Sequence, residues 1–243
     1  MTGGSLSARL EAIAARVLPG RPMADVGTDH ALLPVALVRR GIVPKAIGID
    51  VAPAPLARAR PVAAGVAGVE LRLGDGLTPL KPGEVATVVV AGMGGARIVE
   101  LLDAFEPLAS LTRLVLSPNT QWPRVRRFIA ARELRLREEV LVEDRGHAYL
   151  VLSVDPSVRE ASPWDEDDLL LGPRLLRERP DAWQRWVRAE HARLDAARRR
   201  APADDPIHDR CARFAAARHG LDHEPQGSEM LSTPSPPTDR RRA

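Results

Sequence analysis

Short segments that combine acidic residues with glycine recur along the first half of the chain, each directly after a run of apolar residues. The first is Asp25-Val26-Gly27-Thr28-Asp29-His30, which follows Met23-Ala24. A glycine at such a turn lets backbone amides approach a ligand, and carboxylates accept hydrogen bonds from ammonium or hydroxyl groups. The segment therefore predicts a nucleotide-cofactor site with Asp25, Gly27 and Thr28 as binding residues. The alternative is the ordinary capped start of a helix.

The glycine pattern of this turn indicates which cofactor it suits. Asp29 and Ala31 stand where a dinucleotide-binding turn would have its second and third glycines. A pyrophosphate needs close backbone approach, and a carboxylate at Asp29 would repel it. S-Adenosylmethionine (SAM) carries a sulfonium and an ammonium instead, so the turn favours SAM over a nicotinamide dinucleotide.

Acidic residues also end the next two predicted strands. Asp50 lies 25 positions after Asp25, about where a ribose-binding carboxylate is expected. Gly74-Asp75-Gly76 suits close contact with a flat ring, with Asp75 accepting a hydrogen bond from an adenine amino group, although Asp-Gly is also a common turn. We predict that Asp50, Asp75 and Gly76 belong to the cofactor site.

Two later segments are expected where a substrate meets the methyl donor. The fourth strand runs into Ala91-Gly92-Met93-Gly94-Gly95, and the fifth into Ser117-Pro118-Asn119. Both belong to the carboxyl edge of the predicted sheet, where open α/β sheets bind ligands. We assign Ala91, Gly92 and Met93 to the cofactor. Asn119 is expected to hold an adenine edge through its amide donor and acceptor, although Pro-Asn is also a common turn.

Alternating strand-like and helical runs must position these segments. Five apolar strands are predicted at residues 23–27, 45–50, 69–73, 85–91 and 111–117, and the helices between them imply a parallel sheet. Residues 136–144 and 147–155 are joined at Arg145-Gly146 and predict an antiparallel hairpin. This is the strand sequence of the class I methyltransferase fold, an α/β Rossmann-like sheet, whereas a dinucleotide-binding sheet would continue with another helical crossover.

The predicted helices complete a division into three regions. Helices are expected at residues 6–18, 31–40, 53–64, 94–104 and 122–132, and two more at 180–200 and 206–219, where prolines mark the starts and Gly220 the final stop. We predict a methyltransferase domain over 1–155 and a helical hairpin over 156–220. Residues 221–243 are too polar and proline-rich to bury a core and are expected to be disordered.

Composition narrows the class of protein. The chain has 243 residues, 44% of them hydrophobic, which suffices for one substantial domain and a smaller appendage. Cys211 is the single cysteine, and no Cys or His pattern has metal-ligand spacing, so a reducing compartment and no metal are expected. No signal segment and no apolar run of about 18 residues is evident. We expect a cytoplasmic protein without a membrane partner.

Basic charge is concentrated in arginine. The net charge is only +3, too small to demonstrate a nucleic-acid partner. Six arginines lie between residues 124 and 137, and a helix cannot place all of them on one face. Either a subset contacts phosphate or the cluster is simply solvated. Trp183, Trp186 and Val187 have helical contact spacing and are expected in the seam of the helical hairpin.

The motifs together resemble the bacterial tRNA (adenine-22-N1)-methyltransferase family. The segments that carry the resemblance are Val26-Gly27-Thr28-Asp29-His30-Ala31-Leu32-Leu33-Pro34, Gly74-Asp75-Gly76-Leu77, Ala91-Gly92-Met93-Gly94-Gly95 and Ser117-Pro118-Asn119. It runs from about residue 6 to 155 and extends to Gly172-Pro173-Arg174-Leu175-Leu176. The resemblance implies SAM-dependent methylation of N1 of adenine 22 in tRNA, with a C-terminal helical hairpin that helps hold the tRNA.

The chemistry of that reaction selects candidate catalytic residues. Adenine N1 already carries a lone pair at neutral pH, so catalysis requires alignment and stabilisation of the cationic product rather than a strong base. Asp29 is our first candidate and His30 the second, with a purely structural histidine as the alternative. A non-catalytic RNA-binding module that keeps a SAM-type fold and a nicotinamide-dependent oxidoreductase are the competing functions. The acidic strand ends disfavour the first, and the missing glycines disfavour the second.

Overall fold

Within residues 5–222, which the computed structural model describes, seven strands form one sheet. They are β1 (Met23–Val26), β2 (Ala46–Asp50), β3 (Val69–Leu73), β4 (Thr87–Ala91), β5 (Arg113–Ser117), β6 (Leu134–Asp144) and β7 (His147–Arg159). Their order across the sheet is β3-β2-β1-β4-β5-β7-β6. Strands β1 to β5 pair in parallel, and β7 pairs antiparallel with both β5 and β6. The predicted fold class is confirmed.

Burial explains why the central strands have continuous apolar sequences. All residues of β1 and β5 are buried, as are the first four of β2 and of β4, because the sheet is covered on both faces. The edge strand β3 is only partly buried. It therefore carries Glu70 and Arg72, whose side chains form an ion pair at 2.7 Å.

Nine α-helices occur in the described part of the chain. They are α1 (Ala8–Ala14), α2 (Leu32–Arg39), α3 (Pro53–Ala63), α4 (Gly95–Asp103), α5 (Trp122–Ala131), α6 (Glu166–Leu171), α7 (Leu175–Glu178), α8 (Asp181–Arg198) and α9 (Ile207–Asp222). A 3-10 helix spans Glu106–Ser110. None of the nine is long and apolar enough to cross a membrane.

Several predicted boundaries were wrong for local reasons. Helix α1 is shorter than expected because Ser7, rather than Ser5, accepts the capping hydrogen bond from the Leu10 amide. Strand β7 continues past Asp155 because Arg159 still pairs with Leu134 of β6. Helix α9 continues through Gly220 to Asp222. Helices α6 and α7, with six and four residues, are too short for apolar periodicity to reveal.

The chain forms two compact units, with the division inside α8 between Trp186 and Val187. The predicted functional regions, 1–155 and 156–220, stay predictions. Beyond Asp222 the predicted tail lies outside the described residues. Within the first unit, Trp183 is buried and its indole Nε1 donates to the Leu171 carbonyl at 2.9 Å. The Trp186 and Trp122 ring centroids are 5.1 Å apart, so the start of α8 packs against α5 and α6.

A fully buried ion pair joins α5 to β6. Arg126 Nε donates to Glu139 Oε1 at 2.7 Å, and both side chains are completely buried. Arg126 Nη1 also donates to the carbonyls of Leu169 and Leu170, each at 2.9 Å. Two charges removed from water are tolerated only with such further hydrogen bonds.

The segment that begins at Gly172 closes over this pair. The backbone amide of Arg174 donates to Glu139 Oε2 at 3.1 Å. Gly172 has φ +103, and an added Cβ would lie 2.7 Å from Glu139 Oε2. Glycine is required here by both the left-handed backbone and the close approach. The Gly172-Pro173-Arg174 motif is therefore explained by packing over a buried charge pair.

Candidate active site

A cavity of about 850 Å³ opens at the carboxyl ends of β1 and β4. Its walls include the turn after β1, residues of α1 and α2, the end of β4 and the β6–β7 turn. Sites for cofactors and small molecules usually measure about 300–1,000 Å³ and occur at this edge of open α/β sheets. The position and the volume both suit a nucleotide-sized ligand.

Asp25 supplies a buried carboxyl group to the cavity wall. Burial raises the pKa of Asp25 to about 6; the Thr28 hydroxyl lowers it and the Asp50 charge raises it further. The Thr28 hydroxyl oxygen is itself buried and makes no hydrogen bond of good geometry in the described structure. The pair therefore retains hydrogen-bonding capacity for a ligand, most favourably a cation that would stabilise ionised Asp25.

Asp25→Asn is expected to stabilise the ligand-free protein at neutral pH. The pKa of Asp25 rises from 3.8 in the unfolded chain to about 6 in the folded protein. The stabilisation from protonated Asp25 is therefore fully present below pH 3.8 and is lost as pH rises through about 6. Asparagine keeps the shape without the charge, so the free energy of unfolding at pH 7.5 should increase by up to about 3 kcal/mol.

Urea denaturation at pH 5 and pH 7.5 measures this difference. The variant should lose the part of the dependence on pH that Asp25 contributes to wild-type stability between these values. The exposed Asp29→Asn is the matched control and should leave that dependence in place. An Asp25→Asn protein no more stable than wild type at pH 7.5 contradicts the prediction.

The glycines after β1 and β4 leave backbone room at the cavity. Gly27 has φ +82, and an added Cβ would lie 2.6 Å from Met93 Cε. Gly92 has φ +81, and an added Cβ there would meet open space. Both conformations favour glycine. The structure thus brings Gly27, Met93 and Gly92 together and leaves space beside Gly92 for a ligand.

The two further acidic strand ends lie outside the lining of this cavity. Asp50 Oδ1 accepts a hydrogen bond from the Ala52 amide at 2.9 Å, so its side chain caps the end of its own strand. Asp75 forms an ion pair with Arg97 of α4. Gly76 packs on α4, because an added Cβ would lie 2.5 Å from Leu101 Cδ2. Their cofactor roles remain predictions.

The candidate catalytic pair Asp29 and His30 lines the cavity. Asp29 forms an ion pair with Arg58 of α3, and its Oδ2 lies 3.4 Å from His30 Nε2. Helix α2 has Ala31 at its N-cap, with φ +51 and no side-chain cap. Asp29 therefore does not cap α2, and its carboxylate is oriented by the arginine of another helix.

Asn119 joins the ends of β4 and β5. Its side-chain Nδ2 donates to the Gly92 carbonyl and its backbone amide donates to the Met93 carbonyl, both at 2.8 Å. These bonds hold the side chain beside the cavity residue Gly92. The amide oxygen accepts no hydrogen bond from the described residues and can serve as an acceptor for a ligand.

Most of the arginine cluster is neutralised within the chain. Five of its six members form ion pairs: Arg126 with Glu139, Arg127 with Glu166, Arg132 with Asp103, Arg135 with Glu160, and Arg137 with Asp155. Among the described residues Arg124 has no such partner. Fewer arginines of this cluster are therefore free to contact phosphate than their number in the sequence indicates.

Sequence reasoning missed several polar residues that line the cavity. Arg9, Arg39, Arg145 and Tyr149 come from α1, α2, the β6–β7 turn and β7. Their separation in sequence hides their proximity. The one available signal is Arg9, a charged residue next to the apolar positions of the first helix.

Comparison with known proteins places this geometry in a family. Residues 6–152 match the family described as a methyltransferase domain. The tRNA (adenine(22)-N(1))-methyltransferase of Bacillus subtilis (strain 168) is 34% identical over 182 residues, which are 72% of this chain and 76% of that protein. The chain belongs to the tRNA (adenine(22)-N(1))-methyltransferase family.

Solved structures agree with this family in fold. Streptococcus pneumoniae Sp1610 in complex with S-adenosyl-L-methionine has a TM-score of 0.81 and 28% identity, over 88% of this chain and 100% of that chain. The crystal structure of the B. subtilis m1A22 tRNA methyltransferase has a TM-score of 0.74 and 27% identity, over 90% of this chain and 97% of that chain. The methyltransferase fold thus extends beyond the region that carries the motifs.

Proposed function

We propose that this methyltransferase transfers a methyl group from SAM to N1 of an adenine in tRNA, position 22 by family, and acts in the cytoplasm. The observation that carries the proposal is the cavity in which buried Asp25 and the glycine turns of β1 and β4 meet Asp29 and His30. A nicotinamide-dependent oxidoreductase does not explain a turn that lacks the dinucleotide glycines. A non-catalytic module with the same fold would share this site, and it is distinguished from the enzyme by the methylation assay described below.

The residues present fit SAM. Asp25 and Thr28 would hold its ammonium group, because a buried carboxyl and an unsatisfied hydroxyl have capacity for a cationic donor. Asp50 would accept from the ribose, and Asp75 and Gly76 would hold the adenine. Gly27, Ala91, Gly92 and Met93 would supply backbone contact. When bound, SAM supplies a methyl group on a positively charged sulfur.

The chain's own residues align the base and stabilise its charge. Asp29, oriented by Arg58, places a carboxylate where positive charge develops on the purine. His30 contacts Asp29 and helps to fix it. The Asn119 amide oxygen accepts from the adenine amino group while its Nδ2 stays on the Gly92 carbonyl. No general base is needed at N1, which has no proton to lose.

The direct test is methylation of unmodified bacterial tRNA. The protein is incubated with SAM, and the RNA is digested and mapped by mass spectrometry. N1-methyladenosine at position 22 is expected, and a tRNA with guanine at that position should remain unmodified. Absence of any methylated nucleoside contradicts the proposal. Thermal stabilisation by nicotinamide adenine dinucleotide, without stabilisation by SAM, would favour an oxidoreductase.

Asp50→Ala is expected to weaken SAM binding by about tenfold or more, since a charged hydrogen bond contributes roughly 1.5–3 kcal/mol. Isothermal calorimetry measures the affinity. Asp50→Asn separates two causes, because its amide oxygen can keep the bond to the Ala52 amide that Asp50 makes at 2.9 Å. Loss of affinity in both variants indicates a lost ligand contact. If only Asp50→Ala weakens SAM binding, Asp50 acts by shaping the loop. If neither variant weakens SAM binding, Asp50 does not belong to the cofactor site.

We also propose that the C-terminal helical region contributes to tRNA binding and hardly to SAM binding. A truncation after Asp155 would remove buried Trp183 and its hydrogen bond to Leu171, so the cut belongs after Trp186, at the end of the first compact unit. The shortened protein should bind SAM normally and have a Michaelis constant for tRNA raised about tenfold or more, as expected when several phosphate contacts are lost. A folded truncation with an unchanged Michaelis constant contradicts this role.

A further inference from the structure

Tyr149 places a flat aromatic ring on the cavity wall. It is the single tyrosine of the chain, lies on β7 and is half-buried. Among the residues that line the cavity, Tyr149 and His30 are the aromatic ones. Trp183, Phe105 and Phe128 are buried instead. Tyr149 is therefore the side chain best placed to meet a flat ligand.

Arg9 contacts both this ring and Ser117, the residue before the loop that carries Asn119. Its guanidinium carbon lies 4.4 Å from the centroid of the Tyr149 ring. Its Nε donates to the Ser117 hydroxyl at 3.1 Å, and its Nη2 donates to the Ser117 carbonyl at 2.9 Å. Ser117 is completely buried and directly precedes Pro118-Asn119. One side chain thus fixes the position of Tyr149 relative to the loop that carries Asn119.

The lining of the same cavity also includes exposed arginines. Arg39 and Arg145 line the cavity, are exposed and form no ion pair with any residue between 5 and 222. Exposed arginines of this kind contact phosphate, while an aromatic face stacks a base. A cavity lined by one tyrosine ring and by two exposed arginines without ion pairs in the described part of the chain suits a nucleotide of RNA better than a small neutral metabolite.

We propose that the face of the Tyr149 ring not covered by Arg9 is the platform on which the target adenine stacks, and that Arg9 is the positioning residue that holds Tyr149 beside the Asn119 loop. This inference rests on the proposed function and describes how the same site takes its base. An adenine must leave its stack to enter the cavity, and a new aromatic partner offsets that cost. The tyrosine face also attracts the positive charge of the N1-methylated ring.

A double-mutant cycle tests this contact. One change is Tyr149→Leu, and the other removes the target base by placing an abasic nucleotide in the tRNA. Fluorescence anisotropy gives the dissociation constant of each of the four pairs in the presence of S-adenosylhomocysteine. For each protein, the dissociation constant for the abasic tRNA is divided by that for the tRNA with the adenine. This abasic-to-adenine ratio should be about tenfold smaller for Y149L than for wild type, because one base–aromatic stack is lost.

Matched variants separate stacking from structure. Tyr149→Phe keeps the ring and should retain the wild-type ratio. Arg9→Met keeps an unbranched side chain but cannot donate either bond to Ser117, so its ratio should fall while its calorimetric SAM affinity stays unchanged. If Y149L does not fold, as judged by thermal melting, Tyr149→Thr replaces it as a residue suited to a strand.

The outcomes distinguish this inference from the function on which it rests. Wild-type protein that methylates no adenine in tRNA overturns both. An active wild type whose abasic-to-adenine ratio is unchanged in Y149L overturns the stacking role alone. An equal loss of affinity for both RNAs in Y149L indicates a purely structural tyrosine and also overturns it.

Discussion

Asp29→Asn is expected to lower the turnover of tRNA methylation by roughly 10² or more, with little change in SAM affinity. Methyl transfer to neutral adenine moves positive charge onto the purine, so a fixed carboxylate beside the ring stabilises the transition state more than the ground state. Asparagine keeps the shape and removes the charge. Single-turnover kinetics and calorimetry measure the two effects.

Arg58 makes the Asp29 prediction more specific. Because Arg58 is ion-paired with Asp29, Arg58→Gln should lower turnover by a smaller factor by loosening the carboxylate. A purely structural role for Asp29, as the partner of Arg58, would predict near-normal turnover for asparagine, because its amide oxygen can still accept from the Arg58 guanidinium. Near-normal turnover in Asp29→Asn would therefore remove it from catalysis. Weaker SAM binding with normal turnover at saturation would assign Asp29 to the cofactor instead.

Glu139→Gln is expected to lower the free energy of unfolding by about 3–5 kcal/mol. Glutamine has nearly the same shape, but it leaves the Arg126 guanidinium charged, completely buried and without a counter-charge. The amide also has one acceptor oxygen in place of two, so either the Arg126 bond or the Arg174 amide loses its partner. Urea denaturation at pH 7.5 measures the change.

Glu160→Gln is the matched control for this prediction. Glu160 pairs with Arg135 at 3.2 Å, but both side chains are about half exposed, 54% and 47%. An exposed ion pair contributes about 0–1 kcal/mol, so this variant should stay close to wild type. Equal stability of Glu139→Gln and Glu160→Gln would contradict the importance we assign to the buried pair.

The arrangement of the acidic strand ends at one edge of the sheet could be predicted because parallel strands end on the same side. The runs before Asp25 and Asp50 are apolar, which indicates strands buried between helices, whereas Glu70 and Arg72 in the run before Asp75 indicate an edge strand. Strands joined by right-handed crossovers then place their carboxyl ends at one edge. The glycines at 27 and 92 also agree with their predicted place in turns after strands, since both have left-handed backbone.

Side-chain partners of the charged residues could not be predicted in the same way. Arg126 and Arg127 are adjacent, yet Arg126 is completely buried against Glu139 while Arg127 is exposed beside Glu166. Adjacent positions on a helix face directions about 100° apart, and what they meet depends on elements far along the chain. Helix α6, which supplies the carbonyls bound by Arg126, is too short to be identified from periodicity.

The sequence by itself determined the sheet, the edge at which its acidic and glycine-containing turns lie, and the family, because strand patterns and turn chemistry are local properties. Tertiary structure alone decided that Arg58 orients Asp29, and that Arg9, Ser117 and Tyr149 form one cluster. Arg9 and Ser117 are 108 positions apart, and only the packing of α1 against the ends of β5 and β7 brings them into contact. Such contacts depend on how distant elements pack, and no local pattern of residues records that packing.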